Sequence, residues 1–203
     1  MIQSTPVTRR LLVLLSLLAV VLGLPSCSKY DELVEKDSVC EQRWADVEAQ
    51  LQRRYDLIPN LVATVKASAK HEETTLAQVT EARAQATAIK LTADDLTDPA
   101  KMAAFQKAQD QLKGALSRLL VIQEAYPDLK ANQGFRDLQV QLEGTENRIL
   151  RSREQYNAAV QEYNATLNKI GGSVVNKVTG KPFKPRVYFQ ASTEAQAAPK
   201  VSF

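Results

Sequence analysis

The run Arg54-Tyr55-Asp56-Leu57-Ile58-Pro59-Asn60-Leu61-Val62 interrupts an otherwise uniform helical composition. Between Asp31 and Tyr126 there are one glycine and two prolines, and Ala, Leu, Gln, Glu, Lys and Arg dominate. Pro59 lacks a backbone N–H and pushes Ile58 away from α geometry, so the chain must kink or turn there. Apolar residues recur at spacings of three and four on both sides. The stripe before the break is Leu33, Cys40, Trp44, Val47 and Leu51, then Ile58 across the break, and the next is Leu61, Val65, Ala69, Leu76, Val79, Ala82, Ala86 and Ile89. A third stripe holds Met102, Phe105, Leu112, Leu116 and Leu119, and a fourth Phe135, Leu138, Leu142, Ile149, Tyr156, Tyr163 and Ile170.

Length decides between turn and kink. A single helix from Tyr30 to Leu91 would reach ~90 Å and leave half its stripe uncovered. A break near Asp56–Pro59 gives four helices of comparable length, so the expected fold is all-α, an antiparallel four-helix up-and-down bundle. The other boundaries carry their own signals: Asp98-Pro99 as cap and first helical residue, Tyr126-Pro127 as a stop, Asn132 as a cap, and Gly171-Gly172 as the end of the last helix. The alternating prolines of Lys181-Pro182-Phe183-Lys184-Pro185-Arg186-Val187-Tyr188-Phe189 favour an extended segment lying along the bundle. Residues 190–203 are expected to be disordered.

At the other end, Arg9-Arg10 precedes an apolar run from Leu11 to Leu24 that stops at Pro25-Ser26-Cys27. That is the pattern of a bacterial lipoprotein signal. As a helix the run spans ~21 Å, short against ~30 Å of hydrocarbon. The expectation is a signal over 1–26, with an uncleaved anchor as the alternative, lipidation at Cys27, and a helical body over 27–189. The protein would then sit in a bacterial cell envelope, membrane-anchored, with its body on the extracytoplasmic side. Acylation of Cys27 would leave Cys40 with no disulfide partner, as a small core residue.

Lys and Arg number 26 and Asp and Glu 23. Losing the leader removes two bases and no acid, and the rest alternate in sign along helical faces, which argues against nucleic acid as a partner. His71 is the sole histidine, so the His71-Glu72 pair has no second ligand for zinc. No catalytic triad or phosphate loop can be assembled, and no cofactor or metal is expected.

Arg53 to Val62 together with Trp44, Val65-Lys66, His71-Glu72, Glu81-Ala82-Arg83, Glu124 to Asn132, Glu143 to Ile149 and Tyr163-Asn164 closely resembles the LemA family. The blocks follow family order from Tyr30 to about Gln190. The resemblance implies an anchored extracytoplasmic four-helix bundle with no established reaction, cofactor or catalytic residue. Many LemA-like proteins keep a transmembrane N-terminus, from which the Cys27 signal departs.

Polar side chains on or beside the stripes form the remaining candidate site. Arg54, Glu72, Arg83, Glu146, Asn147 and Arg148 are expected to form a structural polar network with at least one cross-helix ion pair, since unpaired buried charge is costly. Gly114 and Gly144 are expected at close helix approaches, and the buried Trp44 N–H is expected to find a partner. The functional expectation is a non-catalytic envelope scaffold presenting helix surfaces to partner proteins. The alternative is a bundle that binds a lipid or other apolar ligand, and self-association is left open.

Overall fold

The computed structural model describes residues 6–69, 71–169 and 183–190, with side chains from Tyr30 onward. The described elements are helical: α1 (Pro6–Ser68), α2 (Glu73–Ala88), α3 (Pro99–Val121), α4 (Pro127–Ala131) and α5 (Gln133–Leu167), with short 3-10 turns at Asp95–Thr97 and Ile122–Glu124. Residues 183–190 form an extended strap. The expected signal, Cys27, Ile170, Gly171-Gly172 and the tail beyond Gln190 lie outside the described side chains. Over the described residues, no helix is long and apolar enough to cross a membrane.

The break expected at Pro59 is absent. α1 runs through it for 63 residues, about 94 Å at the rise of an α-helix. Proline at 59 cannot donate to the carbonyl of Tyr55, four residues back. That carbonyl instead accepts a hydrogen bond from Arg83 Nε of α2 at 3.0 Å. The side chain replaces the missing rung, and exposed Pro59 stays within the helix. The chain turns further on, between Ala69 and Glu72, where neither glycine nor proline marks the place.

α1 and α5 make the most extensive contact and α2 and α3 the next. The first pair is antiparallel, since Lys36 meets Glu162 while Arg54 meets Glu146. So is the second: Gln109 reaches the Ala86 carbonyl at one end, and Tyr126, just beyond α3, reaches Glu72 at the other. Among stripe residues with described side chains, only Ile89 and Leu138 are not fully buried. The caps are as read. Asp98 accepts from the amides of Ala100 and Lys101, and Asn132 from that of Phe135.

The buried Trp44 indole is packed among rings: Tyr156 at 5.3 Å, Phe105 at 5.4 Å and Phe189 at 6.2 Å between centroids. Its N–H meets no acceptor at full hydrogen-bond geometry, and its nearest polar partner is Glu48 one turn on, whose pKa burial raises and the indole N–H lowers to a smaller extent. The expectation for the glycines fails. Neither helix glycine serves a close approach. A Cβ at Gly144 would meet nothing within 4 Å, and one at Gly114 only the Arg118 Nη1 at 3.8 Å.

Candidate functional site

Arg54 is the centre of the polar interior. Only 2% exposed, it projects from α1 between α3 and α5. Nη1 donates to Glu146 Oε1 at 3.1 Å and Nη2 to Gln109 Oε1, while Tyr55 OH donates to the same Gln109 oxygen at 2.9 Å. One buried amide therefore ties α1 to α3, and one carboxylate ties α1 to α5. Buried Thr145 and Ser152 bond the carbonyls one turn back, Gln141 and Arg148, so these hydroxyls are satisfied within α5.

The remaining sequence candidates do not join this cluster. Arg83 serves the Tyr55 carbonyl, and Glu72 accepts from Tyr126 OH at 3.1 Å rather than pairing with Arg83. The Asn147 and Arg148 side chains are exposed, and His71 is exposed in the turn between α1 and α2. No group of three or more His, Cys, Asp and Glu side chains among the described residues could hold a metal.

The strap forms a second constellation. Asn164 Nδ2 donates to the Arg186 carbonyl and Asn164 Oδ1 accepts from the Arg186 amide, both at 2.9 Å. Asn157 repeats the pattern on Phe189, at 2.9 Å and 2.8 Å. Tyr163 OH donates to the Lys184 carbonyl and Tyr156 OH to that of Val187. Two Tyr-Asn pairs seven residues apart on α5 thus hold backbone groups three residues apart on the strap. The register follows from geometry. Seven helical residues advance about 10.5 Å and three extended residues about 10 Å, so each clamp meets the same atoms of the next repeat.

Two strap side chains are anchored. Phe189 enters the ring of Trp44, Phe105 and Tyr156, with the Arg153 guanidinium 4.2 Å over its face. Arg186, 5% exposed, donates from Nε to Asp37 at 2.6 Å, from Nη2 to Glu41 at 3.0 Å and from Nη1 to the Ala93 carbonyl at 3.3 Å. Burial alone would lower the Arg186 pKa, but the hydrogen bonds and charges of Asp37 and Glu41 hold it above its ordinary value. Cys40 lies between those acids in sequence and is buried; desolvation pushes its thiol up to about 11, against the opposing charge of Arg186. Burial likewise raises the pKa of both Tyr156 and Tyr163. Asn157, Arg186, Asp37 and Glu41 were not anticipated from sequence; the Tyr-Asn repeat at 156 and 163 was the available signal.

The outer face is different. α2 and α3 flank an open groove of about 1030 Å³ lined by the small residues Ala77, Ala82, Ala103, Gly114 and Ala115, with Gln78, Gln85 and Gln106 among its polar side chains.

Residues 43–203 match the sequence model of the LemA family, well over half the chain. The chain belongs to the LemA family. The matched stretch contains Arg54, Arg83, Glu146, both Tyr-Asn clamps and the strap, and begins after Asp37 and Glu41. Among curated proteins it is similar to the magnetosome proteins MamQ 1 and MamQ 2 of Paramagnetospirillum magneticum, each 26% identical over 196 residues, covering 88% of this chain and 71% of the relative. The magnetosome protein MamQ of Magnetospirillum gryphiswaldense is 26% identical over 191 residues, covering 86% and 69%.

Proposed function

We propose that this LemA family chain is a non-catalytic scaffold of the bacterial cell envelope. It is fastened to a membrane at its N-terminus, through lipid on Cys27, and holds a bundle of four long helices on the extracytoplasmic side. The observation that carries this reading is α1, whose backbone is one helix from Pro6 to Ser68. That helix continues unbroken from Cys27, the residue left at the N-terminus once the leader is removed, into the packed body, as suits a body held at a set distance from its lipid. The polar network of Arg54, Gln109 and Glu146 fixes the register of α1, α3 and α5, and the groove between α2 and α3 is the surface offered to a partner helix.

The curated relatives are named for a cell structure, the magnetosome, rather than for a reaction, which supports a role in assembly. An apolar ligand held inside the bundle is the weaker reading, because the centre is filled by Trp44, Phe105, Tyr156 and Phe189.

Fractionation with palmitate labelling tests the anchor, and affinity capture from native membranes tests the scaffold. The wild-type chain is expected in the membrane fraction, labelled, with reproducible envelope proteins beside it, and Cys27→Ala is expected to lose the label. A cytosolic precursor would sink the anchor, and an empty capture would sink the scaffold.

A further inference from the structure

We propose that the groove holding residues 183–190 is a peptide receptor, whose occupant in an assembly is an extended segment of a partner protein carrying an arginine followed three residues later by a phenylalanine. The proposal rests on the scaffold reading and names the chemistry of the partner.

Most of the polar grip on the strap is made to atoms that every sequence possesses. The carbonyls of Lys184, Arg186, Val187, Tyr188, Phe189 and Gln190 accept from side chains of Tyr163, Asn164, Tyr156, Gln106, Asn157 and Arg153. The amides of Arg186 and Phe189 donate to the Asn clamps, and that of Val187 to the Leu96 carbonyl at 2.8 Å. Such contacts fix direction and register without reading side chains, as when a peptide adds to a sheet edge.

Phe183 meets the Tyr30 ring edge-to-face at 5.8 Å where the strap begins, and within residues 184–190 sequence is read at two places. The Asp37–Glu41 acid pair, with the Ala93 carbonyl, takes a guanidinium in three hydrogen bonds, a fork that an ammonium cannot fill. The ring of Trp44, Phe105 and Tyr156 takes an aromatic three residues on. Between these anchors, Tyr188 is exposed and Val187 is only half-buried, so those positions are weakly specified. This chain's own strap fills the site in cis. Covalent attachment presents it at an effective concentration on the order of 1 mM, so a partner segment must bind more tightly, or arrive already held nearby, to displace it.

The test uses the full chain with Cys27→Ser and a protease site inserted between residues 172 and 180, cut after folding so that the strap is no longer tethered. The probe is a fluorescein-labelled peptide of the sequence Lys184–Gln190, competed by unlabelled peptides of unrelated Ala/Ser sequence that keep only the arginine and the phenylalanine. The cut protein should bind the probe saturably and at least ten-fold more tightly than the uncut one. The two-anchor competitors should displace it, and peptides lacking either anchor should be at least ten-fold weaker. Binding should also protect the Cys40 thiol from maleimide. If cutting unfolds the protein, the uncut Arg186→Ala chain replaces it, and the probe should compete there at lower concentration than in its parent.

Failure of the two-anchor competitors would show a private structural tail and overturn the proposal. Light scattering that shows dimers formed by strap exchange would overturn it in favour of a second copy. Peptide binding with an empty membrane capture would retain the receptor and remove the scaffold; captured partners with no peptide binding would do the reverse.

Discussion

Arg83 on α2 donates through Nε to the carbonyl oxygen of Tyr55 on α1 at 3.0 Å, and Tyr55 is the residue that Pro59 deprives of its helical hydrogen bond. A proline inside a helix costs about 3 kcal/mol relative to alanine, part of it the unmet carbonyl, and a hydrogen bond to a charged donor returns roughly 1.5–3 kcal/mol. Arg83→Ala should therefore destabilise the fold by about 2 kcal/mol. In a Pro59→Ala background, where residue 59 supplies its own N–H, the same substitution should cost well under half as much. Urea denaturation of the four proteins in this cycle measures the coupling; equal losses in both backgrounds would mean that Arg83 does not stand in for the missing donor.

Arg186 joins the strap to α1 through Asp37 and Glu41. Removing a buried partner of an ion pair generally costs 3–5 kcal/mol. Here the acid side chains are 28% and 50% exposed and can rehydrate, so Arg186→Ala should cost about 2–3 kcal/mol. Its clearer signature is Cys40. With Cys27→Ser as parent, maleimide labelling of Cys40 should accelerate by ten-fold or more in the variant, under conditions where circular dichroism still reports a folded helical protein.

Alkali should unfold the protein in a defined order. Cys40 has an ordinary pKa of 9.0, raised by burial to about 11, and Tyr156 and Tyr163 are raised above 10.0. The unfolded chain loses these protons first, so their contribution is complete below pH 9 and declines as pH rises through the folded values. For Cys40 the loss between pH 9 and 11 is on the order of 2 kcal/mol, and the tyrosines extend the fall above pH 10. Cys40→Ala should flatten the first part of the curve. In acid, Asp95 is held down to about 2, chiefly by Lys101 and then by Thr92; its contribution is present above pH 3.8 and fades as pH falls toward 2. Chemical denaturation from pH 2 to 11 tests both limbs.

Gly144 lies within α5, where an added methyl group would meet no atom within 4 Å. Gly144→Ala should raise stability by about 0.5–1 kcal/mol by reducing the freedom of the unfolded chain. Thermal melting checks the sign; a fall would point to a partner packed against that glycine.

The stripes, the Asp98 and Asn132 caps and the all-helical class were legible because each follows from local spacing and capping chemistry. The continuity at Pro59 was not, because it depends on Arg83, which is 28 residues away in sequence and arrives only when α2 folds back. The turn after Ser68 carried no breaker to announce it. Arg54 could be flagged as an inward cation and Glu146 as a stripe neighbour, but Gln109 looked like any helix-surface amide. Tyr156 and Tyr163 were read as stripe residues and Tyr163-Asn164 as part of the family resemblance, whereas the purpose of the Tyr-Asn repeat emerges only when a segment with a matching repeat lies beside it.

Site-specific photocrosslinking from the α2–α3 groove in native membranes tests the scaffold most directly. A photoreactive residue at Ala103 or Gln111 should give discrete adducts with envelope proteins, while one at Val140, 67% exposed on α5, should give few, and Cys27→Ala should abolish the adducts. Crosslinks that are absent, or that are identical from both faces, would contradict a membrane-held scaffold that presents this groove.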